Sequence, residues 1–92
     1  MRIRLTARAV GNLRSIRDWI ARDHAPTSDR TLARIQQTVS TLADFPHLGH
    51  PGDVEGTREF KVRGLPYLLV YTVDEDALTV LRVLHSRQRY PD

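Results

Sequence analysis

Hydrophobic and polar positions alternate most clearly in the C-terminal third of the chain. TREFKVRG is followed by LPYLLVYTV, DED and ALTVLRVLHSRQRY, apolar runs separated by turn residues. The alternation predicts three consecutive strands paired antiparallel into one sheet. Gly64-Leu65-Pro66 supplies the first turn and Asp74-Glu75-Asp76 the second. In the middle strand Tyr67, Leu69, Tyr71 and Val73 oppose Leu68, Val70 and Thr72. In the last, Leu78, Val80, Arg82 and Leu84 oppose Thr79, Leu81, Val83 and His85. Both faces are largely apolar, so both require cover. The first strand sets Arg58, Phe60 and Val62 against Glu59, Lys61 and Arg63, which reads as a half-solvated edge blunted by charge.

Upstream, Ile3 and Leu5 alternate with Arg2 and Arg4 in a short strand. Thr6 is placed to cap a helix over residues 7–24, with Val10, Leu13, Ile16 and Ile20 on one side and Trp19 beside them. Thr27 or Ser28 is expected to cap a second helix, where Leu32, Ile35, Val39 and Leu42 recur at helical spacing. The short link makes an antiparallel helix hairpin, and its apolar stripes must lie on one face of the sheet. FPHLGHPG then forms a shaped loop, with Phe45 and Leu48 expected under the core. The expected fold is α+β, a βααβββ chain forming one domain over residues 1–92. The pattern leaves open which sheet edge the first strand joins.

Composition narrows the function classes. The chain has no cysteine, which excludes disulfides and thiolate metal sites. No apolar run approaches the roughly 20 residues of a membrane span, and no apolar export core follows the first residues, so a cytoplasmic protein without membrane contact is expected. Net charge is +3, and every basic residue but Lys61 is arginine. The charge is uneven: residues 1–34 hold eight arginines against three aspartates, whereas residues 35–56 hold only acidic charges. Such a balance favours acidic partners, either nucleic acid or protein.

The histidines are His24, His47, His50 and His85. His47 and His50 sit in a Pro- and Gly-rich loop without a ligand set, so neither a metal nor a cofactor is expected. No phosphate-binding glycine loop, HExxH or serine-nucleophile motif occurs. What stands out is a basic and aromatic group: Arg58, Lys61, Arg63, Arg82, His85, Arg87 and Arg89, with Tyr67, Tyr71 and Tyr90. Arg58, Lys61, Arg63, Arg87, Arg89 and Tyr90 are candidates for binding a target or a nucleic acid. His85, Arg82 and Arg87 are the candidates for catalysis, since metal-free RNA cleavage needs a base and a cation near phosphorus. Tyr67 and Tyr71 share a face with Leu69 and Val73 and read equally as core. Strand parity sets His85 opposite Arg82, which separates base from cation. The helix hairpin can cover only one sheet face, so Leu68, Val70, Leu81 and Val83, grouped on the other, are candidates for a partner surface.

In order and spacing the chain resembles the RelE/ParE family of bacterial toxins. The resemblance spans essentially the whole chain. It rests on Phe45-Pro46 with its Gly-Pro loop, Thr57-Arg58-Glu59, the PYLLVY of residues 66–71 and the VLRVLHSRQRYP of residues 80–91. It implies the toxic half of a type II toxin–antitoxin module acting in growth inhibition and plasmid stabilisation. It also implies a cognate antitoxin from an adjacent gene in a hetero-oligomer, for which the Leu68, Val70, Leu81 and Val83 face is the expected binding surface. One branch of the family cleaves mRNA on the ribosome, and the other poisons DNA gyrase without a known catalytic residue. Leu68 stands where the cleaving branch often has arginine, and Ser86-Arg87-Gln88-Arg89 where several members have a His–Tyr pair. The resemblance therefore implies the ParE-like branch, a gyrase inhibitor rather than an enzyme. The alternative is a ribosome-dependent endoribonuclease.

Overall fold

The computed structural model describes residues 1–87. Among them, two helices pack on one five-stranded sheet. The strands are β1 (Arg2–Leu5), β2 (His50–Pro51), β3 (Arg58–Lys61), β4 (Tyr67–Val73) and β5 (Ala77–His85). The helices are α1 (Ala7–Ala21) and α2 (Ala25–Asp44), and a 3-10 turn over Pro46–Leu48 follows α2. The strand order is β1-β5-β4-β3-β2. β3 to β5 pair antiparallel as the alternation requires; β2, within the expected loop, adds antiparallel to β3, and β1 joins the free side of β5 in parallel.

Thr6 explains where β1 lies. Its backbone N–H donates to the Val80 carbonyl at 3.1 Å, and its hydroxyl donates to the Leu81 carbonyl at 2.8 Å. The same hydroxyl accepts from the Ala9 N–H at 3.0 Å, which is the expected N-cap of α1. One residue thus ends the strand, opens the helix and ties both to β5.

The helices cover the sheet face that carries Leu69, Tyr71, Leu78, Val80 and Val83, all at most 2% exposed. Ala9, Ile35, Val39, Leu42 and Val62 complete this core. Burying a Leu, Ile or Val side chain contributes roughly 1.5–3 kcal/mol. The α2 stripe therefore supplies much of what holds the hairpin down.

Several boundaries and contacts differ from the sequence expectation. α1 stops at Ala21, and α2 begins at Ala25 with His24 as its N-cap. The His24 ring nitrogen accepts from the Thr27 N–H at 3.2 Å, and Pro26 sits in the first turn, where an N–H would have no helical partner. Neither Thr27 nor Ser28 is the cap; the Ser28 hydroxyl instead donates to the Arg17 carbonyl at 2.9 Å and joins the helices. β3 is not the edge, because β2 pairs along its outer side. Phe45, Leu48 and Trp19 are exposed at 62%, 54% and 68%, so none packs in the core.

A β-bulge corrects the face assignment. Val70 pairs with Arg82, but Tyr71 pairs with Val80, leaving Leu81 as the extra residue on β5. Past the bulge the parity flips. Val83 lies opposite Leu69 in the helix-covered core, while Leu84 lies opposite Leu68 on the other face. Leu68, Val70, Leu81 and Val83 therefore do not form one patch. Val70 and Val83, 0% and 2% exposed, offer no surface to a partner.

The β4–β5 turn is held by Asp74, whose carboxylate accepts from the N–H groups of Asp76 and Ala77, each at 2.8 Å. The Asp76 bond first, and then the Ala77 bond, hold its carboxyl below the ordinary 3.8. A depressed folded value means stability that is present above 3.8 and lost as pH falls below it. Asp74→Ala is expected to lower the melting temperature at pH 7, and the deficit should narrow steadily below pH 3.8. Melting curves across that range check the sign. No helix among the described residues is long and apolar enough to cross a membrane.

Candidate functional site

Tyr71 fixes the loop after α2. It is fully buried; its hydroxyl donates to the Pro46 carbonyl at 2.7 Å and accepts from the Gly49 N–H at 3.1 Å. Arg58, beside it on β3, donates to the Gly49 carbonyl at 2.5 Å and the His47 carbonyl at 3.3 Å. The Gly-Pro loop therefore has no need of a buried Phe45 or Leu48. Two polar side chains from the sheet tie its backbone down instead. Arg58, expected to face a target, is committed to this loop.

The remaining candidates are dispersed. His85 lies on the helix-covered face in edge-on contact with Tyr67, ring centroids 5.8 Å apart. Its Nδ1 accepts from the Arg87 N–H at 3.1 Å. Burial pushes the Tyr67 hydroxyl pKa above its ordinary value. Arg82 pairs with Val70 and lies on the opposite face, with its Nε buried and unbonded. Sequence parity had already separated His85 from Arg82; the bulge keeps them apart but regroups their neighbours. Lys61, Arg63 and Arg87 are exposed near the end of the sheet where β4 starts. Arg89 and Tyr90 lie outside the described residues. Among those described, no group of three or more His, Cys, Asp or Glu side chains is placed to hold a metal.

Two hollows flank α1. One, about 330 Å³, is lined mainly by Ile3, Leu5, Leu13, Leu32, Ile35 and Val39, between β1 and the helices. Ile3 and Leu5 are 41% and 43% exposed, and β1 leaves the outer edge of the sheet open. The other, about 360 Å³, lies between α1 and the end of β5, with Trp19, Tyr67 and His85 in its wall. There the Asn12 side chain accepts from the Val83 N–H at 3.0 Å, replacing the strand that β1 is too short to provide. The Arg22 guanidinium stacks over Trp19 at 5.3 Å. The sequence reading missed these hollows. Each joins residues from distant segments, and only the exposure of Trp19 and Leu5 reveals them.

A helix hairpin on a β1-β5-β4-β3-β2 sheet, with its post-helical loop stapled by strand side chains, defines the small α+β toxin architecture that the resemblance implied. A family model described as "ParE toxin of type II toxin-antitoxin system, parDE" matches residues 3–90. The chain belongs to this family. It is 37% identical over 90 residues to the protein named "Putative toxin Y4kP" of Sinorhizobium fredii, covering 98% of this chain and 93% of that one. A solved structure titled "Chromosomal ParDE TA system from P. aeruginosa" contains a chain similar in fold, with a TM-score of 0.82 at 22% identity. The match covers 92% of this chain and 95% of that one.

Proposed function

We propose that the protein acts in the cytoplasm as a growth-inhibiting toxin that binds DNA gyrase and blocks its cycle. A cognate antitoxin neutralises it, and the pair serves plasmid stabilisation. The observation that carries this reading is the dispersal of the catalytic candidates. His85 and Arg82 occupy opposite faces, and Arg87, the third candidate, meets His85 through its backbone N–H. Metal-free RNA cleavage needs a base and a cation converging within hydrogen-bond reach of one phosphate, and losing a charge-stabilising donor typically costs about 10²–10³ in rate. Binding gyrase needs only a surface of matching shape and charge. Lys61, Arg63 and Arg87 offer one at the β4-start end.

The antitoxin reading rests on family membership and on the groove beside β1. Its apolar lining and the open strand edge suit a segment that folds on binding, laying apolar side chains in the groove and pairing with β1. The groove takes the place of the Leu68, Val70, Leu81 and Val83 surface. Pulse labelling after induction in vivo tests the target: DNA synthesis should fall first. Protein synthesis falling first would favour the ribonuclease instead.

A further inference from the structure

One end of the molecule gathers arginines that neither the loop staple nor the β1 groove employs. Here the N-terminal half of α2 faces the β3–β4 turn, across a cleft of about 330 Å³ lined by Thr27, Arg30, Thr31, Arg34, Gly64 and Leu65. Both guanidinium groups are oriented. Arg30 donates through Nη2 to the Thr27 hydroxyl at 3.2 Å, and Arg34 through Nη1 to the Arg63 carbonyl at 3.1 Å. Their other nitrogens hold no partner among the described residues. Thr31 is 7% exposed, yet its hydroxyl makes no hydrogen bond there either. No acidic residue among those described lines the cleft. Lys61 and Arg63 stand exposed beside it, whereas the Asp74-Glu75-Asp76 turn lies at the far end of the same strands.

We propose that this cleft binds a phosphodiester group of a nucleic acid backbone. Two planar forks and a hydroxyl donor approach from several directions, which suits the non-bridging oxygens of a tetrahedral phosphodiester better than the coplanar pair of a carboxylate. The forks are already held, so little ordering entropy opposes binding. Trp19, under the Arg22 guanidinium on the adjoining end of α1, offers a stacking surface for a neighbouring base.

The test is fluorescence anisotropy of the purified full chain with labelled duplex DNA and with RNA of equal length, at rising KCl. Each phosphate contact contributes about 0.7–0.9 to the slope of log affinity on log salt. Wild type should bind at least one polymer at low salt, and the tighter of the two names the source. Arg30→Gln with Arg34→Gln should weaken binding about tenfold or more and flatten the slope by about 1–2. Thr31→Val should weaken binding without changing the slope. Arg2→Gln with Arg4→Gln removes the same charge at the opposite end and should leave affinity within about twofold. Circular dichroism confirms folding, and Arg30→Gln alone, at an exposed position, serves if the double variant melts. Binding of neither polymer, equal losses from both arginine pairs, or equally strong displacement by polyglutamate would overturn the proposal.

Discussion

Gly49→Ala should be among the most damaging small substitutions in this chain. A Cβ at Gly49 would overlap the Tyr71 hydroxyl and stand 2.8 Å from the Glu59 carbonyl oxygen. Neither neighbour is a flexible side-chain end, since Tyr71 is packed in the core and the Glu59 carbonyl is strand backbone. Displacing Tyr71 also breaks its bonds to Gly49 and Pro46, leaving buried polar groups unsatisfied. Overpacking and the lost bonds together should cost about 3 kcal/mol or more. For a chain of this size that is a drop in Tm of roughly 10–20 °C. Thermal unfolding followed by circular dichroism measures it. Gly11→Ala is the matched control, because nothing lies within 4 Å of its added Cβ and it sits within α1. It should stabilise by up to about 1 kcal/mol.

The second large effect concerns the antitoxin. Leu5→Glu combined with Leu32→Glu places two carboxylates in the groove beside β1 without touching the buried core. Burying an apolar partner segment against them should raise the dissociation constant of the toxin–antitoxin complex about 100-fold or more. Cells carrying the variant toxin with its antitoxin should stop growing, while wild-type pairs grow. Calorimetric titration and growth after co-expression give the two readouts. Unchanged affinity would remove the groove from the interface.

Much of this was legible in the residues. The α2 stripe of Ile35, Val39 and Leu42, the Thr6 cap and the three C-terminal strands follow from local periodicity and hydrogen-bonding chemistry. The bulge at Leu81 was not legible. It follows from the pull of both Val80 and Val83 toward one core: three residues apart on β5, they share a face only when Leu81 bulges out. Strict alternation therefore misplaced Val83 and Leu84. The Gly-Pro loop misled for a related reason. Its large apolar residues suggested burial, yet it is held by Tyr71 and Arg58, whose hydrogen bonds reach across 9 to 25 residues of sequence. The candidate site was legible as a composition, arginine with tyrosine and histidine, but not as a place. Strand pairing decides which of those side chains meet.

Purified toxin added to DNA gyrase, relaxed plasmid and ATP tests the central claim most directly. The account predicts loss of supercoiling with rising toxin and accumulation of cleaved plasmid. It also predicts no cutting of mRNA on translating ribosomes by the same preparation. Undiminished supercoiling at saturating toxin, together with ribosome-dependent cleavage that His85→Ala abolishes, would contradict it.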